Sequence, residues 1–408
     1  MRLKQLHYGW LMVIMSVFIL AAHAIMFYSF GVFLRPLTLE FNWERGALSG
    51  AASVAILLTG LFSIISGRLT DRYGPRVSIT VNGLVVGIGF LLMSLVSSLW
   101  QVYLIWGLFM GIGGGFCYIP VNSTLPRWFT KKSGMAIGIA VTGIGLGGII
   151  SPVLAQWLIS ASGWQRAFTI LGLITFVIIV PLAQFMRHSP QRAGLRPYGE
   201  DEAAKSGPPL ARGGLSFTQA VRSRRFWAWG IILFCFFFCI QVVIIHIVPH
   251  VVDIGIPPIA AASIASVVAG ASIAGRLIVG FISDRVRGRL LLIICAFLAG
   301  ISFLWLLVAR EVWMLYIFAV IFGVGYGGMV LLQTIISAEL FGLDSLGSIL
   351  AAAIFCGTVG GALGPPLAGG IFDARGDYRL AFLICLLVCV VAIILSLILL
   401  KARSWHND

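Results

Sequence analysis

Eleven stretches of the chain carry no Asp, Glu, Lys or Arg: 11–34, 46–67, 77–126, 133–165, 167–186, 226–252, 254–275, 290–309, 312–338, 345–372 and 380–400. A helix needs about 20 apolar residues to cross the hydrocarbon core of a bilayer. The run 77–126 is too long for one crossing, so it predicts two helices broken near Ser97-Ser98-Leu99-Trp100-Gln101. The pattern thus predicts an all-α membrane protein with twelve transmembrane helices. Between Arg187 and Arg225 the apolar pattern stops. That stretch holds Pro190, Gly194, Pro197, Gly199, the acids Glu200-Asp201-Glu202 and then Gly207-Pro208-Pro209, the composition of a linker. It separates two six-helix bundles, 1–187 and 223–408, by a linker over 188–222. Near its end Ser216-Phe-Thr-Gln219 has the form of a capping box and predicts a short interfacial helix leading into the seventh span.

The second half repeats the first. Gly67-Arg-Leu-Thr-Asp71-Arg72-Tyr-Gly74-Pro-Arg76 joins the second and third spans, and Gly280-Phe-Ile-Ser-Asp284-Arg285-Val-Arg-Gly288-Arg289 joins the eighth and ninth. Two similar halves in a membrane chain point to a transporter, whose substrate site is expected between the halves near the bilayer midplane. We read Asp71, Arg72, Arg76, Asp284, Arg285 and Arg289 as gating charges, which pair when one side closes and separate when it opens. The alternative is charge that only fixes topology.

Composition agrees: of 408 residues 60% are hydrophobic and 10% charged, with a mean hydropathy of +1.03, which excludes an ordinary soluble globule. If the N-terminus is cytoplasmic, 21 of the 28 Lys and Arg fall on inner segments, so both termini are expected in the cytoplasm of a cell inner membrane. Anionic lipid headgroups then account for the net charge of +14 without nucleic acid. The first apolar run is too long for a signal-peptide core and is expected to remain as the first span. The seven cysteines lie within apolar spans and read as small packing residues. No cofactor or metal is expected, and a monomer is.

Twelve helices with Gly-x-x-x-Asp-Arg-x-Gly-x-Arg between the second and third resemble the major facilitator superfamily. Trp128-Phe129-Thr-Lys131-Lys132-Ser-Gly-Met-Ala136-Ile-Gly138-Ile-Ala140-Val-Thr-Gly143 resembles the signature of monocarboxylate transporters between the fourth and fifth helices. His7-Tyr8-Gly9-Trp10 is similar to that family's entry into its first helix, without the acidic residue before it. Gly364-Pro365-Pro366-Leu-Ala368-Gly369 also fits that family and the related oxalate/formate exchangers. The resemblance implies a carrier of small monocarboxylates, such as lactate or pyruvate, coupled to a proton. A carboxylate exchanger and a drug/proton exporter are the alternatives. It also implies an Asp four residues before the helix 8 arginine and a lysine in helix 1, but here those places hold Ser272 and Tyr28 or its neighbours.

Arg276 is the one Lys, Arg, Asp or Glu deep inside a span. Such residues are costly in lipid and mark substrate paths. Its helical neighbours at i−4 and i+4 are Ser272 and Gly280, so no local acid neutralises it. A guanidinium without a partner suits a ligand carboxylate, which it holds by parallel hydrogen bonds; snorkelling to the headgroups is the other reading. Tyr28, Tyr118, Asn122, Tyr326, Gln333, Phe355 and Cys356 are mid-span candidates for the rest of a small pocket. His23, His246 and His250 are candidates for proton coupling. His246 and His250 also leave an intramembrane enzyme to consider, but the spans hold no paired carboxylates, metal cluster or nucleophile constellation.

Overall fold

The computed structural model describes residues 7–129, 132–191, 194–199, 214–283, 285–342 and 345–401. Eleven of its helices are long and apolar enough to cross a membrane, and no strand occurs among the described residues. In lipid every backbone N–H and C=O must be satisfied within the chain, which helices alone achieve segment by segment. The first half supplies α1 (Tyr8–Phe41), α2 (Arg45–Tyr73), α3 (Pro75–Met93) and α4 (Leu99–Trp128). The helix Ser133–Phe185 is interrupted at Gly163, where φ is 83°, a value that glycine adopts without steric cost. Its two parts are α5 and α6, which gives twelve spans. The second half supplies α7 (Arg224–Asp253), α8 (Pro258–Ser283), α9 (Gly288–Leu306), α10 (Val312–Phe341), α11 (Leu346–Arg375) and α12 (Arg379–Lys401).

The expected break near 97–101 is built by a capping box, in which Gln101 Oε1 accepts from the backbone N–H groups of Ser97 (2.8 Å) and Ser98 (3.2 Å). Ser216 and Gln219 form the one expected capping box, opening the short helix Phe217–Arg222. α4 departs from a plain helix. It is π-helical over Tyr103–Met110, breaks after Gly114 and resumes at Tyr118. The disturbed turns are satisfied from outside: Thr59 Oγ1 donates to the Gly111 carbonyl (3.0 Å) and Asn82 Nδ2 to that of Gly113 (2.8 Å).

The chain forms two compact units, Met1–Pro36 with Val54–Pro208, and Leu37–Ser53 with Pro209–Asp408. The hairpin joining α1 to α2 thus belongs to the second unit. In the first unit, His7-Tyr8-Gly9-Trp10 and Trp128-Phe129 interlock. Tyr8 OH donates to the Phe185 carbonyl (2.6 Å), Trp128 Nε1 donates to that of Arg187 (3.1 Å), and Trp10 meets Phe129 edge-on at 5.1 Å. A Cβ on Gly9 would press on the Phe129 ring at 3.1 Å.

The repeat recurs in the packing inside each unit. α5 lies so close to α1 that a Cβ at Gly143 or Gly147 would strike the carbonyls of Val17 or Ala21, and α11 lies on α7 in the same way at Gly360 and Phe234. α4 meets α2 through Gly111 and Gly115, and α10 meets α8 through Gly327 against Ser272. Small residues let helix backbones approach in lipid, where van der Waals contact drives association. Gly360→Leu is therefore expected to destabilise the protein by at least about 1–3 kcal/mol, seen as a lower melting temperature in detergent. Gly138→Leu, where nothing lies within 4 Å of the added Cβ, is expected to melt like the parent.

Candidate functional site

Arg276 lies on α8, whose Ser272, Gly275 and Val279 are buried while Leu277, Ile278 and Phe281 are exposed. Its side chain is half-buried, and its Nε and Nη1 are shut off from solvent with no hydrogen-bond partner among the described residues. Ser272 does not supply one; its hydroxyl donates to the carbonyl of Ala269 (2.7 Å). Leaving such donors unmade costs about 1–3 kcal/mol or more for a charged group.

The other pocket candidates are spread along their helices. In the second unit Tyr326 packs near Phe236 (6.3 Å) and lines a cavity of about 20 Å³ with Cys235, Cys239, Met329 and Cys389. Phe355 is exposed, Gln333 is buried, and Cys356 is half-buried where α11 meets Gly230 of α7. In the first unit Tyr28 is buried, while Tyr118 is exposed just past the break in α4. Asn122 donates to the Tyr118 carbonyl of its own helix at 2.9 Å. His23 is buried with Asn82, whose Nδ2 lies 3.2 Å from His23 Nδ1.

Asp71 and Arg289 have partners that the decapeptides do not contain. Asp71 is bonded by Arg127 Nη2 at 2.7 Å, and Arg289 donates to the Leu399 carbonyl (3.1 Å) and lies 3.7 Å from Glu339. Arg72 and Arg285 stack on Tyr73 and Phe281, and Arg76 lines a groove with Arg187 and His188. Asp284 lies outside the described residues.

The densest polar cluster of the second unit surrounds His246. His246 Nε2 lies 2.8 Å from the Pro365 carbonyl and 3.3 Å from Ser49 Oγ, and Nδ1 lies 3.1 Å from Tyr378 OH. A carbonyl only accepts, so Nε2 carries the proton, Nδ1 accepts, and the Tyr378 hydroxyl donates to it. That hydroxyl in turn accepts from Arg45 Nη1 at 3.0 Å. Arg45 grips Asp253 through Nη1 and, at 3.0 Å, through Nη2, and its guanidinium lies 3.8 Å over the Phe372 ring. The opening turn of α2 adds to this, since the N–H groups of Arg45 and Gly46 donate to the two Asp373 carboxylate oxygens at 2.9 and 2.7 Å. His250 meets the rings of Phe382 (4.9 Å) and Tyr378 (5.8 Å), and its Nε2 is buried without a hydrogen bond among the described residues. Burial raises the Tyr378 phenol above its ordinary pKa, with Arg45 pulling the other way, so it remains a donor at neutral pH.

Arg45, Asp253, Asp373 and Tyr378 are absent from the sequence-based candidates. Each sits just outside an apolar run and reads there as an ordinary loop residue. The available signal was that all four fall at the same end of their spans.

The sequence profile described as Major Facilitator Superfamily matches residues 16–365 and 249–406. The chain belongs to that superfamily, on its monocarboxylate transporter branch. Monocarboxylate transporter 11 of Homo sapiens is 30% identical over 387 residues, covering 89% of this chain and 78% of its own length. Monocarboxylate transporter 13 of Rattus norvegicus is 28% identical over 379 residues, covering 92% and 85%. The fold matches a bacterial homologue of the human lysosomal transporter Spinster, in its inward-facing and occupied conformation. That likeness has a TM-score of 0.79 and 16% identity, and spans 99% of this chain and 100% of the other. This carrier is a transporter and not an enzyme.

Tyr378→Phe removes the hydroxyl that joins Arg45 to His246 and leaves the buried Nδ1 without a donor. The expected cost is about 1–3 kcal/mol, to be read as a drop in melting temperature relative to Tyr316→Phe, which loses a hydrogen bond to Ser263 in a half-buried place.

Proposed function

We propose that this carrier moves a small organic monoanion, lactate, pyruvate or a similar monocarboxylate, by alternating access together with a proton. It works as a monomer in the cell inner membrane with both termini in the cytoplasm. The observation that carries this reading is Arg276, a guanidinium on a membrane-spanning helix with two buried nitrogens that nothing among the described residues satisfies. Such a group holds one carboxylate by charge-assisted hydrogen bonds. The names of the relatives agree with that chemistry. The run 345–372 of α11 supplies no second Lys or Arg, and a second carboxylate would enter the membrane unpaired at a cost of several kcal/mol. Monoacids are therefore accepted and dicarboxylates such as oxalate or succinate refused.

Tyr28, Tyr118, Asn122, Tyr326, Phe355 and Cys356 are proposed to shape the substrate's path. His246, His250 and His23 are proposed to serve proton coupling. Asp71, Arg72, Arg76, Asp284, Arg285 and Arg289 are assigned to gating on the cytoplasmic side.

In proteoliposomes, Arg276→Gln is expected to abolish uptake of labelled lactate while the protein still inserts and folds. Arg276→Lys is expected to restore little, because an ammonium lacks the planar fork. Uptake near the wild-type rate in the Gln variant removes Arg276 from the site. Uptake by the wild type is expected to rise on external acidification and to fall with a protonophore. Equal transport of oxalate, or indifference to the pH gradient, contradicts this reading. Asp71→Asn releases Arg127 and is expected to slow transport far more than it weakens equilibrium binding. A loss of affinity as large as the loss of rate would show that Asp71 serves substrate binding.

A further inference from the structure

The Arg45 cluster offers a second ionic site that the reading above leaves unused. The hairpin 37–53 presents to the rest of its unit a guanidinium and the positive end of α2, whose first N–H groups lie outside the helix's own ladder and carry partial charge. The receiving surface is acidic and aromatic: Asp253 takes the guanidinium, Asp373 takes the backbone N–H pair, and Phe372 and Tyr378 lie against the cation. The fit at this seam is tight. A Cβ on Gly46 would lie 2.8 Å from the Gly370 nitrogen, and one on Gly369 would lie 2.6 Å from the Gly46 nitrogen. So the hairpin docks in one register or not at all.

Docking places both guanidinium donors on the two oxygens of Asp253. A proton on that carboxylate removes the charge which holds Arg45 and blocks an accepting oxygen. Arg45 and a proton are thus competing ligands for the same group. We propose that Asp253 is a proton-binding site and that docking of the 37–53 hairpin and protonation of Asp253 exclude each other. By linkage, if a proton weakens docking by some factor, docking weakens proton binding by the same factor.

Charged and titratable groups near Asp253 come from several packed elements. α2 contributes Arg45, α7 itself His250, α11 Asp373, and the turn before α12 Asp377 and Tyr378. Arg310 and Arg379 line a cavity of about 490 Å³ shared with His250, Asp253 and Asp377. Asp253 is the member of this set that meets Arg45 through both carboxylate oxygens. Asp373 holds backbone N–H groups instead, and His246 already has both ring nitrogens in hydrogen bonds.

In the transport cycle, which rests on the proposed function, this site supplies the acid that α8 lacks at Ser272. A proton arriving from outside would release the hairpin, and redocking of Arg45 would expel the proton.

The test needs no substrate. Hydrogen–deuterium exchange of the full chain in detergent, corrected for the pH dependence of the chemical exchange step, reads the amides of 45–53. In the wild type their protection is expected to fall on acidification by up to about tenfold per pH unit, the slope of one proton. Asp253→Asn and Arg45→Gln each remove one competitor, and both are expected to show low protection that does not vary with pH. Asp253→Glu is expected to restore the dependence. Protection in the wild type that ignores pH overturns the proposal, as does a wild-type slope retained in either neutral variant. Should Asp253→Asn not fold, Arg45→Gln decides alone, because it leaves the carboxylate in place. Lactate uptake measured on the same preparation separates this result from a failure of the proposed function, since exchange at 45–53 is read whether or not lactate is carried.

Discussion

A guanidinium inside a membrane must find an anion, and Arg276 has not found one within its own helix. α8 brings Ser272 and Gly280 to the adjacent turns, and the serine hydroxyl is bonded to its own backbone. Two of the Arg276 nitrogens are buried and unbonded among the described residues. Stability alone favours replacing such a residue with an apolar one. Its presence makes sense if the missing partner arrives as substrate, which is the proposed reading of one carboxylate per carrier.

The contrast with Arg45 is instructive because the residue type is the same. Arg45 finds everything Arg276 lacks: a carboxylate gripped by both terminal nitrogens, a phenol oxygen and an aromatic face. One arginine is therefore complete without ligand and the other is not. The first suits a latch whose partners belong to the chain, and the second suits a site whose partner does not. Within each unit, glycines at the contacts of α1 with α5, α2 with α4, α7 with α11 and α8 with α10 bring backbones together.

The twelve spans were legible because charges stop where lipid begins, and the two halves were legible because Gly67–Arg76 and Gly280–Arg289 share their offsets. The Ser216/Gln219 cap was readable because a capping box is local, whereas at Ser98/Gln101 the sequence was read only as a break. Arg276 was readable because one charge in a long apolar run is conspicuous. The break of α5 from α6 at Gly163 came three residues before the Arg166 that divides the apolar runs, since backbone conformation and not charge sets it. The uneven course of α4 had no pattern to announce it, as its carbonyls are satisfied by Thr59 and Asn82 from other helices. The Arg45 cluster was invisible for the same reason. It draws on α2, α7, α11 and the turn at Tyr378, which spacing along the chain does not bring together.

The central claim is that Arg276 recognises the negative charge of a single carboxylate. Thermal stabilisation of the purified wild-type protein by lactate and by lactamide, its neutral isostere, tests this most directly. A ligand at 100 times its Kd stabilises by about 2.7 kcal/mol. Lactate is expected to raise the melting temperature while lactamide leaves it unchanged, and the shift is expected to vanish in Arg276→Gln. Equal stabilisation by lactate and lactamide, or a lactate shift that survives in Arg276→Gln, would contradict the account.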